Sequence, residues 1–125
     1  MSVPSYSSLD PVSGALGFAL DGLSMRQSAI ADNLANIDTP GFRASSVDFE
    51  STLRSALGAG ERGMAGLAGS APAVAPTDTP VGANDNNVDF RKESLAAIQS
   101  QFQYQLMTRA VGDRFDLVRT VAGVS

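Results

Sequence analysis

The run Asp32-Asn33-Leu34-Ala35-Asn36-Ile37-Asp38-Thr39-Pro40-Gly41-Phe42-Arg43 joins a long amphipathic pattern to a chemically specified stop. Ahead of it, Leu16, Leu20, Leu23, Gln27, Ile30, Leu34 and Ile37 recur at alternating intervals of four and three. That is an a/d heptad seam with one polar position, Gln27. Pro40 has no N–H to donate and pushes Thr39 out of the helical region. Pro40-Gly41 at the two central positions suits a type II turn, in which glycine supplies the positive φ. A helix that stops this sharply, with its seam intact to the last turn, is suited to lie against another helix.

Composition narrows what such a helix can serve. A chain of 125 residues points to one domain. Nine basic residues against 13 acidic ones give a net charge of −4, and the basic residues are scattered. Nucleic acid is therefore not an expected partner, because phosphate binding needs a basic surface. The absence of cysteine and histidine removes disulfides, the usual zinc sites, Ser-His-Asp triads and Cys-His dyads. No catalytic, cofactor or metal residue is assigned. No stretch approaches the roughly 18–20 apolar residues of a membrane span. The first eleven residues lack the basic and apolar regions of a secretory signal. Taken alone, this reads as cytoplasmic, or as exported without such a signal. Aromatics are only 6% of residues and tryptophan is absent, so thin helical layers that need partners are expected rather than a thick core.

Along the chain, 1–10 is Ser-rich and reads as disordered. A helix over 11–37 follows, with Pro11 in its first turn and Asp10 or Ser13 as cap. The turn motif and a short helix carrying Phe49, Leu53 and Leu57 on one face occupy 38–57. The Gly/Ala/Pro-rich stretch 58–86 has no period of 2 or 3.6, and reads as a flexible insert or a poorly regular hairpin ordered by neighbours. A second long helix spans 87–122, capped by Asn87 or Asp89. Its apolar positions form one row at Leu95, Ile98, Phe102, Leu106, Ala110, Leu117 and Val121. A second row, Met107, Val111, Phe115, Val118 and Ala122, runs through its C-terminal half. A helix apolar on two sides touches more than one neighbour. The expected fold is mainly α. Two long terminal helices pair as an antiparallel coiled-coil-like hairpin, with a short middle helix and an irregular insert.

Several residues carry two readings. The seam serves an intramolecular core, an inter-subunit contact, or both. Asn33 and Asn36 satisfy helix-end groups or bond to a neighbouring subunit. Pro40-Gly41 forms the turn and aims Phe42 and Arg43, and Phe42 is an exposed anchor in a chain poor in aromatics. Tyr104, between Gln103 and Gln105, is a half-buried aromatic with a hydrated hydroxyl. Asp85-Asn86-Asn87-Val88-Asp89 imitates a calcium loop, but Phe90 stands where glycine belongs and Ala96 where glutamate belongs. Turn and capping chemistry explains these residues better.

Ala35-Asn36-Ile37-Asp38-Thr39-Pro40-Gly41-Phe42-Arg43 resembles the signature of the bacterial flagellar rod, hook and hook-associated proteins. Asn87-Val88-Asp89, followed by a helix containing Gln103-Tyr104-Gln105, is similar to their C-terminal segment. The short chain, the Asp before Thr-Pro-Gly and the run Val47-Asp48-Phe49-Glu50 resemble the proximal rod members, with FlgC as the nearest alternative paralogue. The resemblance implies a structural subunit of the basal body rod, the extracytoplasmic drive shaft that transmits motor torque. It implies export by the flagellar type III apparatus without a cleaved signal, and folding coupled to assembly. The implied partners are other copies of itself, FlgC, FlgF and FlgG, the adaptor FliE and the MS ring. The implied interface residues are Leu16, Leu20, Leu23, Gln27, Ile30, Asn33, Leu34, Asn36 and Thr39 to Arg43 in the first half. In the second half they are Leu95, Ile98, Phe102, Tyr104, Leu106, Phe115, Leu117, Val118 and Val121. A cytoplasmic helical adaptor or export chaperone is the alternative from another class, and an enzyme would need chemistry for which nothing is arranged.

Overall fold

The computed structural model describes residues 11–123. The segment 1–10, read as disordered, and Asp10 as a cap lie outside them. The elements are α1 (Pro11–Ala35), β1 (Ser45–Val47), α2 (Glu50–Gly58), α3 (Gly60–Gly66), β2 (Val74–Pro76), a 3₁₀ turn (Ala83–Asp85) and α4 (Phe90–Gly123). The chain is mainly helical, and no helix among the described residues is long and apolar enough to cross a membrane.

Pro11 opens α1, where a missing N–H costs nothing. One face of this helix buries Ala15, Phe18, Ala19, Gly22, Leu23, Ala29, Ile30 and Asn33. Most of these join Val47, Phe49 and Leu67 in a single hydrophobic cluster. Small residues matter as much as large ones here. A Cβ at Gly22 would stand 2.3 Å from the Phe49 ring and 2.7 Å from its Cβ, so glycine is what lets that side chain cross the helix. Of the seam read from the sequence, Leu23 and Ile30 are buried, and Leu16, Leu20, Gln27 and Leu34 are half-buried. Ile37 lies beyond the helix end and is half-buried.

The helices α1 and α4 run antiparallel. Asn33 meets Glu93, Arg26 meets Gln103, and Leu16 and Leu20 share a groove with Val111, Phe115 and Val118. The contact face of α4 is not the apolar row that its sequence displays. Glu93, Ala97, Ser100, Tyr104, Met107, Val111, Arg114 and Val118 are buried or half-buried at intervals of four and three, with Ser94, Ala96 and Gln103 half-buried beside them. The row Leu95, Ile98, Phe102, Leu106, Leu117 and Val121 faces outward, each side chain more than half exposed, as are Phe90 and Phe115. The seam of α4 is thus regular in spacing but mixed in chemistry. Hydrophobicity alone selects the wrong face.

The stretch 58–86 is more regular than a flexible insert and closer to the other reading, a segment ordered by its neighbours. It holds α3, β2 and the 3₁₀ turn. Its order comes from neighbours rather than from its own periodicity. Leu67 is buried in the core cluster, and β2 pairs antiparallel with β1 in the register Ser45↔Pro76, Ser46↔Ala75, Val47↔Val74. Gly14 of α1 brings its backbone close to the Met64 carbonyl and Ala68. Of the face expected on the short helix, Phe49 is buried just ahead of α2, Leu53 is half-buried and Leu57 is exposed.

Two glycines of α1 therefore respond oppositely to the same change. At Gly17 nothing lies within 4 Å of a new Cβ, so Gly17→Ala is expected to stabilise by up to about 1 kcal/mol through helix propensity. Gly22→Ala is expected to destabilise by about 1–3 kcal/mol, since Phe49 must be displaced. Urea denaturation of the two variants checks this, and equal gains at both positions would rule out the Phe49 crossing.

Candidate assembly interface

The end of α1 is wired to the start of α4 by asparagine side chains. Asn33 is completely buried and acts as a substitute strand neighbour for β1. Its Nδ2 donates to the Ser45 carbonyl at 2.8 Å, and its Oδ1 accepts the Ser45 N–H at 3.0 Å. The second Nδ2 proton goes to Glu93 Oε1 at 3.0 Å. One amide thereby joins α1, β1 and α4. All three of its bonds stay within the chain.

The stop itself is a closed turn. The Phe42 N–H donates to the Thr39 carbonyl at 3.2 Å, and Gly41 has φ +76°, as a type II turn requires. Asn36 Nδ2 donates back to the Asp32 carbonyl, and the Thr39 hydroxyl donates to Asn36 Oδ1. The Asn36 carbonyl likewise accepts the Thr39 N–H at 3.0 Å. Asn86 Nδ2 adds a second hydrogen bond to each of the Asn36 and Thr39 carbonyls, at 2.9 and 2.8 Å. Asn87 Oδ1 accepts the Ala44 N–H at 2.6 Å, while its Nδ2 donates to the Thr79 carbonyl at 3.2 Å. Gly41 N–H donates to the Asn84 carbonyl at 2.8 Å, and Arg43 pairs with Asp85 at 2.8 Å. Asn84 and Asp85 both hold φ near +60°, a conformation that these two contacts fix in place. Asp89 Oδ1 then accepts the N–H groups of Arg91 and Lys92 and so caps α4.

A second tie lies on the other side of α1. The Arg26 guanidinium pairs with both oxygens of Glu50, donates to the Val47 carbonyl at 2.6 Å and reaches Gln103 Oε1 at 3.1 Å. It also lies 4.8 Å from the centroid of the Phe49 ring. The hydrogen bond from Arg26 holds the Glu50 carboxyl below its ordinary range against the opposing effect of partial burial. The Ser51 side chain and N–H do the same for the exposed Asp48.

These ties separate the sequence-derived candidates into groups. Asn33 belongs to the interior, and Asn36, Thr39, Pro40 and Gly41 form the junction. Phe42 is half-buried rather than exposed, because it sits against the loop that the turn engages. Arg43 is taken up by Asp85. Tyr104 and Val118 lie on the α1-facing side of α4, and Tyr104 packs against the core. Leu95, Ile98, Phe102, Leu106, Leu117 and Val121 form the outward apolar surface, while Phe115, also more than half exposed, borders the groove it shares with Leu16 and Leu20. Sequence reasoning passed over Arg26, Glu93 and Ser100, and took Asn86 and Asn87 only as turn and cap residues. The signal for Arg26 was a charge set between seam neighbours. For Ser100, completely buried, the signal was the heptad spacing itself.

Comparison with known proteins places this geometry. The family described as "Flagella basal body rod protein" matches residues 18–43, the stretch from the core residue Phe18 to the junction residue Arg43. The flagellar basal body rod protein FlgB of Borreliella burgdorferi is 34% identical over 119 residues, covering 82% of this chain and 88% of the relative. FlgB of Bacillus subtilis is 32% identical, covering 82% and 86%. FlgB of Salmonella typhimurium is 29% identical, covering 85% and 91%.

Two tests follow from the junction. Gly41→Val places a β-branched residue at positive φ and is expected to cost at least about 1–2 kcal/mol in denaturation experiments; unchanged stability would mean that the turn has another form. The pH dependence has a definite sign. A carboxyl whose pKa is lowered by folding stabilises the fold above its unfolded pKa, and that contribution is lost as pH falls through the folded value. Glu50→Gln is thus expected to be less stable than wild type at neutral pH, with the gap closing on acidification through the carboxylate range. A gap independent of pH would show that the Arg26 contact carries no charge-dependent stability.

Proposed function

This chain belongs to the FlgB family of flagellar basal body rod proteins, and from that membership we propose that it is a proximal rod subunit that self-assembles through the outward face of α4. It is a structural component of the flagellar basal body rod. The observation that carries the finer reading is the outward row on α4. Leu95, Ile98, Phe102 and Leu106 stand exposed on consecutive turns while the opposite face of the same helix is already taken up by α1. Burying such side chains contributes roughly 1–2 kcal/mol each. A monomeric surface has little reason to keep them in line. In a rod they would lie between subunits, and α1 and α4 would pack as a coiled-coil-like unit.

The proposal extends to the partners that the family resemblance implies. These are further copies of this chain, FlgC, FlgF and FlgG, the adaptor FliE and the MS ring. Torque passes along such a shaft only if subunits resist sliding, and an interdigitated apolar contact between helices supplies that resistance. Export through the flagellar type III apparatus is proposed as the route. The adaptor, chaperone and enzyme alternatives have no residue arrangement that favours them over a rod subunit.

Phe102→Asp tests the outward face. Phe102 is 65% exposed, so the isolated chain is expected to keep its fold by circular dichroism and its denaturation midpoint to within about 0.5 kcal/mol. The same variant is expected to be lost from purified basal bodies and to abolish motility, because the contact would bury an unpaired charge. Wild-type incorporation of Phe102→Asp would remove this face from the assembly contact.

A further inference from the structure

An apolar groove of about 260 Å³ runs between the first half of α1 and the C-terminal part of α4. Leu16 and Leu20 form one wall, Val111, Phe115 and Val118 form the other, and Arg114 is the charged residue of the lining. Leu16, Leu20, Val111 and Val118 are half-buried, and Phe115 is 59% exposed although it borders the groove. A cavity of roughly 150 Å³ already admits a benzene ring. The groove therefore has room for an aromatic side chain with an aliphatic one beside it, and closing it would remove apolar surface from water.

One end of the groove lies at the start of α1, where ten residues precede Pro11. The residue before a proline is disfavoured in the helical region, so the chain leaves the axis of α1 at Asp10. Among the serines and the proline of those ten residues, Val3, Tyr6 and Leu9 recur at intervals of three. In an extended backbone of three residues per turn such positions share one edge, about 9 Å apart. The groove runs from the level of Ser13 to that of Leu20, about 10 Å along the helix. Leu9 and Tyr6 match that length. The outward row of a second copy, Leu95 to Leu106, covers about 16 Å and does not. Charge agrees as well, since the charged side chain among the ten is Asp10, opposite in sign to Arg114.

We propose that residues 1–10 form a strap that folds back from Pro11 along this groove. Leu9 seats between Leu16 and Val118, Tyr6 lies beside Leu20 and Val111 with its hydroxyl at the edge, and Asp10 turns toward Arg114. The strap closes an apolar face that would otherwise be open to another molecule, and leaves the row Leu95 to Leu106 as the uncovered one. It is a property of the chain by itself and does not rest on the rod reading.

The test is nuclear Overhauser spectroscopy on the dilute full chain. Cross-peaks are expected from the Tyr6 ring and the Leu9 methyls to the methyls of Leu20, Val111 and Val118. A mixture of isotope-labelled and unlabelled chains, filtered for contacts between the two, is expected to show none of them. Replacing both anchors, Tyr6→Ser with Leu9→Ser, changes no residue of the core cluster. That variant is expected to keep its circular dichroism while amide exchange at Leu20 and Val118 speeds up about tenfold. Cross-peaks that are absent, or exchange that the double substitution leaves unchanged, overturn the strap. Cross-peaks that arise only between labelled and unlabelled chains overturn it too, and give the groove to a second copy. Phe102→Asp probes the other side of α4, so failure of the rod contact and failure of the strap give separate results.

Discussion

The fold turns on two backbone carbonyls. Past the end of α1 the carbonyls of Asn36 and Thr39 each accept one turn N–H, from Thr39 and Phe42, and keep a second lone pair for another donor. Asn86 Nδ2 fills both from 50 and 47 residues later in the chain. Once that bond pair forms, the loop ahead of α4 is fixed beside the end of α1. Asn87 holds the strand entry at Ala44, and Asp89 starts α4 a few residues further on. The junction places the two helix ends side by side, and the contacts of Asn33 with Glu93 and Arg26 with Gln103 along their length give the antiparallel course.

How much of this can be read from sequence follows the same division. The stop at Pro40-Gly41, the positive φ of Gly41 and the cap at Asp89 are local chemistry, and local chemistry is legible. Asn86 and Asn87 look like loop punctuation, because nothing in their neighbourhood announces an acceptor 50 residues away. The contact face of α4 is hidden for a different reason. Glu93, Ser100 and Arg114 occupy seam positions that a hydrophobic pattern treats as surface, while Phe102 and Leu106 look like core and face outward. Hydropathy reports which residues leave water somewhere, not whether they do so inside this chain. In 58–86 the local composition is uninformative, and the order is lent by the edge of β1 and the pocket for Leu67.

The two long helices divide the work unequally. One face of α1 closes the core with Phe18, Leu23, Ala15 and Ala19, and glycine and alanine on that face let Phe49 and Leu67 approach closely. The other face meets α4 through a mixed seam. That leaves α4 with an inner face of mixed chemistry and, among the polar residues of its outer surface, a row of exposed apolar side chains. Such a row forgoes burial that the polar inner positions could have been used for. It is reasonable for a subunit whose outer face is to become interior.

The polar seam then has its own logic. Apolar helix faces slide past one another with small changes in energy, because packing is tolerant of register. Asn33 on Glu93 and Arg26 on Gln103 are less tolerant, since a shift of one turn breaks a hydrogen bond from a buried amide and one from a half-buried guanidinium. We infer that register between α1 and α4 is set by these polar pairs, consistent with the role that buried polar groups play in fixing coiled-coil alignment. The polar pairs inside the chain thereby also fix the height along α1 at which the exposed residues of α4, Leu95, Ile98, Phe102 and Leu106, are presented.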